Sequence, residues 1–295
     1  MPQSRTGIPV PSRPSGRNRR ELAIRSASTA VIVPVVVAAI WAGGAWLAVL
    51  LAAAAAVGAY ELAGLTSQAG ARPSMPVPVS VPVAIAWSVG LVVAAHLHVS
   101  GHALTVTVAP VLAAGALLAL LSVANQKSLA MVGVAWLATA GSALLAGGML
   151  SFGLLLRGLT DGNEWAVSMV LIVAAADVGG YAVGLPFGRH KIWPSISPAK
   201  SWEGAAGGLA ASIGISVAAI ASFDLPISTP EAVGLGVMLW AGALTGDFAE
   251  SALKRRAGAK DSGRLIPGHG GVFDRLDSIV LNLVLCYYFV VWIGP

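Results

Sequence analysis

The sequence predicts an all-α, polytopic integral membrane protein of about nine transmembrane helices with its N-terminus in the cytoplasm. Three observations predict it. Of 295 residues, 56% are hydrophobic and 11% charged, against roughly 25% charged in an ordinary soluble domain. The apolar residues fall in uncharged runs, and roughly 20 such residues cross a bilayer. The basic residues gather in loops that alternate along those runs, as the positive-inside bias requires. A single soluble core cannot hide this much apolar surface. Collagen and coiled coil are excluded because neither a Gly-x-y nor a heptad pattern occurs.

Residues 1–25 carry Arg5, Arg13, Arg17, Arg19, Arg20 and Arg25 among Pro, Ser and Gly, with no signal-peptide cleavage pattern behind them. They read as a disordered, basic cytoplasmic tail that attracts anionic headgroups rather than nucleic acid. The 35 uncharged residues between Arg25 and Glu61 are too many for one span, and Gly43-Gly44 divides them into an expected hairpin of 27–42 and 45–65. His96, His98 and His102 interrupt the next uncharged stretch, giving spans at 79–96 and 103–123. Further spans are expected at 129–150, 164–186, 204–222, 231–252 and 278–294. With nine crossings, all of the 18 Lys and Arg residues except Arg157 lie on the cytoplasmic side. The lone cysteine, Cys286, forms no intramolecular disulfide and reads as a small buried hydrophobe.

The chain is asymmetric. Before Thr160 the only acids are Glu21 and Glu61; eleven follow it. After the tail, residues 26–160 therefore read as a transmembrane scaffold and 161–295 as the catalytic region. An acid inside a span is costly unless paired, protonated or bound to a cation, so it marks function by default. Asp177 is one. Asp247 and Glu250 are three apart, as are Asp274 and Asp277, so each pair shares a helix face and presents two oxygens together. Hard oxygen donors without clustered Cys or His suit Mg²⁺ rather than zinc. Pairing with bases is the competing explanation, Glu250 with Lys254 and Asp274 with Arg275 or Arg264. Glu61 is a further intramembrane acid with no partner legible in the sequence.

Two glycine-rich basic loops accompany these acids. One holds Gly188, Arg189, His190, Lys191 and then Ser197 to Gly204; the other holds Lys254, Arg255, Arg256, Lys260, Asp261 and then Pro267 to Gly271. Glycine admits backbone N–H groups close to phosphate oxygens, and Lys and Arg supply countercharge. Neither loop matches GxxxxGK[ST]. Acids, bases and glycines recurring at one membrane face point to a metal–phosphate site. His269 suits a general base or a phosphate contact equally well.

The run Ser251-x-Leu253-Lys254-Arg255-x4-Lys260-Asp261-x-Gly263-x2-Ile266-Pro267-x-His269-Gly270-Gly271-Val272-x-Asp274-Arg275-Leu276-Asp277 resembles the signature of the phosphatidate cytidylyltransferase (CDP-diacylglycerol synthase) family. Asp177 through Tyr181, Gly188, and Ser197-Pro198-x-Lys200-Ser201-x-Glu203-Gly204 are also similar to that family. The resemblance implies that CTP and phosphatidate give CDP-diacylglycerol and pyrophosphate, for phospholipid biosynthesis, with Mg²⁺; four carboxylates leave room for a second cation. It implies a homodimer in the plasma membrane whose site faces the cytoplasm and opens sideways to the bilayer. On this footing Asp247 and Asp274 are the expected direct metal ligands, with Glu250 and Asp277 beside them. Lys200, Lys254, Lys260 and His269 are expected at the reacting phosphates. Asp177, Tyr181, Ser197, Ser201, Glu203, Ser251, Arg255, Gly270, Gly271 and Arg275 are expected to bind substrate. A CTP-dependent polyprenol kinase and an ion-coupled transporter would also use intramembrane acids, but neither predicts the 251–277 signature.

Overall fold

A computed structural model describes residues 34–69, 77–126, 128–263, 265 and 270–293. The chain is helical in α1 (34–42), α2 (Gly44–Ala69), α3 (Val81–Val99), α4 (Leu104–Val123), α5 (Leu129–Ala143), α6 (Met149–Arg157), α7 (Gly162–Phe187), α8 (Trp202–Phe223), α9 (Thr229–Arg256) and α10 (Phe273–Ile293). A single π turn, Leu144–Gly148, joins α5 to α6, so 129–157 is one crossing. Among the described residues eight helices are long and apolar enough to span a membrane. They coincide with the last eight expected spans, the largest differences being the end of Leu129–Arg157, seven residues beyond the expected 150, and the start of Phe273–Ile293, five before the expected 278. The expected tail at 1–25 and the start of the expected 27–42 span lie outside the described residues.

Local chemistry sets the helix ends. Ser128 and Ser201 cap α5 and α8 by accepting the amides of Met131 and Gly204, each at 3.2 Å. α9 starts with a capping box, in which Glu231 accepts the Ser228 amide at 2.7 Å. The π turn falls where Gly147 lies directly on the Ser88 carbonyl of α3, a contact that leaves no room for a Cβ.

The core lies between α6, α7, α9 and α10, where Leu150, Leu156, Trp165, Met169, Ile172, Leu235 and Leu239 are fully buried. α4 is the opposite case: Leu117, Leu118 and Leu121 are more than half exposed, as lipid-facing residues of a spanning helix are. Lipid tails give helices no hydrophobic reason to associate, so close backbone approach between small residues takes over. α7 and α8 meet this way, with Gly207 against the Gly179 carbonyl and Gly208 against that of Ala176.

Arg157 Nε donates to the Ile40 carbonyl at 3.1 Å. That bond joins the α1–α2 and α6–α7 turns at one end of the bundle. The ends that carry the acids and bases gather at the other: the C-termini of α7 and α9, the N-termini of α8 and α10, and a two-stranded antiparallel hairpin. The hairpin pairs β1 (Lys191–Trp193) with β2 (Ser197–Ser201) in the register Lys191↔Ser201 and Trp193↔Ser197. Its extended backbone at Ser197-Pro198 follows from the restrictions proline imposes on itself and on its predecessor.

Candidate active site

The hairpin is fastened at three points. Glu203 accepts the His190 amide at 3.2 Å and meets its Nδ1 at 2.6 Å. Ser201 Oγ caps α8, and Arg255 Nε donates to the Ile196 carbonyl at 3.3 Å. These bonds hold Lys200 against α9, where its ammonium pairs with Asp247 and lies 5.7 Å from the Phe248 ring centroid. Burial pushes the Lys200 ammonium below its ordinary lysine range, against the opposing pull of Asp177, Asp277 and Glu250.

A polar chamber of 430 Å³ opens beside this pair. Asp177, Asp247, Glu250, Asp261, Asp274 and Asp277 line it together with Lys200, Lys254, Arg275, Ser251 and Ser278. Glu250 and Asp274 are 5% and 8% exposed, and buried carboxylates need partners. Lys254 serves both, 2.8 Å from Glu250 Oε2 and 2.9 Å from Asp274 Oδ1. Asp274 Oδ2 also accepts the amides of Ser262 at 2.9 Å and Gly271 at 2.8 Å. Gly270 makes this loop possible. Its φ is +82°, and a Cβ there would collide with Asp274.

The expected pairing of Glu250 with Lys254 is therefore present, and the same lysine also reaches Asp274. Among the described residues no three acid, His or Cys side chains converge on a point that would hold a metal ion; Lys200 pairs with Asp247 and Lys254 with Glu250 and Asp274. The donor chemistry nevertheless suits a hard cation. Asp247, Glu250, Asp274 and Asp277 share one chamber, and Glu250 Oε1 is buried without a donor among the described residues.

A second cavity, of 520 Å³, runs between α7, α8, α9 and the hairpin. Its walls are small or apolar: Gly180, Gly184, Gly204, Gly208, Leu185 and Trp240, with Tyr181 and Ser201 at the polar side. It shares Asp177, Lys200 and Asp247 with the polar chamber. A charged pocket and a groove among spanning helices thus meet at three residues.

Most of the expected residues assemble here. Ser197, Glu203, Arg255, Lys260, Gly270 and Gly271 line neither cavity: the first three belong to the hairpin and its fastenings, Lys260 is exposed, and the two glycines shape the loop behind Asp274. His269 lies outside the described residues. The residue whose place the sequence did not reveal is Glu61, which reaches the 262–273 loop from α2. Its cost inside a span signalled a partner but not which one.

A sequence profile described as the Cytidylyltransferase family matches residues 23–293. The chain belongs to that family. Similar curated proteins include the phosphatidate cytidylyltransferase of Mycobacterium bovis, 47% identical over 139 residues that make up 46% of this chain and 44% of the relative. "Phosphatidate cytidylyltransferase 5, chloroplastic" of Arabidopsis thaliana is 42% identical over 133 residues, 43% of this chain and 33% of the relative. The Staphylococcus aureus phosphatidate cytidylyltransferase is 40% identical over 126 residues, 43% of this chain and 48% of the relative. The aligned stretch spans less than half of the length of each of these relatives.

Proposed function

We propose that this protein transfers the cytidylyl group of CTP to phosphatidate, giving CDP-diacylglycerol and pyrophosphate at the cytoplasmic face of the plasma membrane. The observation that carries the reading is the junction of the two cavities. A nucleoside triphosphate needs a charged chamber, a diacyl lipid needs an apolar groove open among spanning helices, and the two here share Asp177, Lys200 and Asp247. The names of the similar proteins support the same substrates.

The chemistry asks little of a general base. A phosphate monoester loses its second proton near pH 6, so at neutral pH phosphatidate is already an anionic nucleophile. Its oxygen forms a bond to the α-phosphorus of CTP, the bond from that phosphorus to the β-phosphate bridge breaks, and pyrophosphate leaves with the electron pair. The bond exchange itself transfers no proton; pyrophosphate takes one from solvent after it leaves. The protein's task is alignment and charge neutralisation. Lys200, at the mouth of the groove, faces the lipid phosphate. Lys254 and Arg275 face the triphosphate from the other wall. Asp247 and Asp274, with Glu250 and Asp277 beside them, would hold Mg²⁺, which when bound offsets the charge of the triphosphate and of the leaving pyrophosphate. We also infer a homodimer, on the family resemblance alone.

Purified protein in phosphatidate-containing vesicles, given CTP and Mg²⁺, should release pyrophosphate and a CDP-lipid in equal amounts. CDP with a newly phosphorylated lipid would instead identify a lipid kinase, and neither product would remove the reading.

A further inference from the structure

Glu61 belongs to α2, on the scaffold side of the chain, and is 5% exposed. Its carboxylate accepts three hydrogen bonds from the loop that precedes α10. Ser262 Oγ donates at 3.1 Å, the Val272 amide at 3.1 Å and the Phe273 amide at 2.8 Å. Gly263 and Gly271 press on the same carboxylate, each so closely that a Cβ would collide with it. The site is therefore shaped around an acid at position 61. Part of this is helix capping, since Phe273 opens α10 and first-turn amides lack helical partners. Capping does not account for Ser262. That residue gives its hydroxyl to Glu61 and its amide to Asp274, at 2.9 Å. Gly271, packed on Glu61, gives its amide to the same Asp274 oxygen at 2.8 Å.

We propose that Glu61 is a positioning residue for the transfer reaction: through Ser262 and the 270–273 turn it fixes the Asp274 carboxylate in the polar chamber. The role presupposes the cytidylyl transfer proposed above. It also gives the N-terminal half a part in the chemistry, because a carboxylate serves a reacting site only if the groups around it are themselves held.

Glu61→Gln keeps the shape, loses one acceptor oxygen and sets an NH₂ against backbone donors. Hydrogen exchange resolved to single amides is measured without substrate, and kinetics follow on the same folded, monodisperse protein. The amides of Ser262 and Gly271 bond Asp274 rather than Glu61, so they report transmission directly. They are expected to exchange about tenfold faster in the variant. Turnover should drop by about tenfold or more with KM for phosphatidate within about twofold of wild type, because the lipid groove does not touch this loop. Should Glu61→Gln fail to fold, Gly263→Ala displaces the carboxylate without changing its charge and is held to the same expectations. Protected Ser262 and Gly271 amides, or wild-type turnover per folded molecule, overturn the proposal; a cap that merely stabilises α10 would give both. Exchange is read without substrate, so a wild type that makes no CDP-lipid overturns the reaction and leaves the positioning measurement to stand by itself.

Discussion

At the residue scale the site turns on two lysines set among carboxylates. Lys254 bridges Glu250 and Asp274 within 2.9 Å while its own side chain is 14% exposed. Removing it would strand two buried acids, and breaking such a pair costs about 3–5 kcal/mol. Lys254→Ala should therefore lower stability by about 3 kcal/mol, read from denaturant unfolding in detergent micelles, and should not act on turnover alone. Asp274→Ala and Asp247→Ala are different, because each leaves a lysine that water or a neighbouring acid can serve. Both variants should reach the membrane folded and make no detectable CDP-lipid; near-normal activity in folded Asp274→Ala would show that this carboxylate holds no metal. Lys200 separates a phosphate contact from a topology signal. A charge-assisted hydrogen bond contributes about 1.5–3 kcal/mol, so Lys200→Gln should lower kcat/KM by about ten- to a hundredfold. If Lys200 only marks the cytoplasmic side, kinetics at sub-saturating CTP and phosphatidate will match wild type.

At the scale of elements the α7–α8 pair forms one wall of the apolar groove, and its spacing depends on backbone meeting backbone. Gly207 touches the Gly179 carbonyl and the Val183 side chain, whereas Gly214, two turns on in α8, has open space where a Cβ would stand. Gly207→Leu should force the helices apart and lower the melting temperature, with loss of activity. Gly214→Leu should leave both within error, since surface substitutions away from such contacts usually stay within about 0.5 kcal/mol. Equal effects at the two positions would mean that the groove does not rest on this contact. The hairpin illustrates a different limit. Ser197-Pro198 announces extended backbone, but pairing with Lys191–Trp193 depends on Glu203 and Arg255 gripping it from two helices.

For the whole molecule, the Arg157 bond to Ile40 and the gathering of acids at the opposite end fix which turns lie together. They do not depend on which side of the membrane each end faces. The positive-inside bias predicts that direction. In a Cys286→Ala background, Lys260→Cys should react with an impermeant maleimide only after the cell is opened, and Ser100→Cys in intact spheroplasts. Labelling of position 260 from outside would reverse the orientation. The wild-type thiol should not react in the folded protein, because Cys286 is fully buried.

Sequence by itself determined the spans, because burying apolar residues in lipid is a local requirement that each stretch meets or fails alone. It also singled out the acids that share the polar chamber, since an acid inside a span is too costly to be incidental. Spacing placed Asp247 with Glu250 and Glu250 with Lys254, since helix geometry makes them neighbours. Only the tertiary structure decided the rest. That Lys254 answers to Asp274, that Lys200 answers to Asp247, and that Glu203 and Arg255 serve the hairpin are facts about how helices pack, which no periodicity encodes. Glu61 is the clearest case. Its cost was legible in α2, yet its partners lie more than 200 positions along the chain, and only the close approach of α2 to the start of α10 brings them within hydrogen-bonding distance.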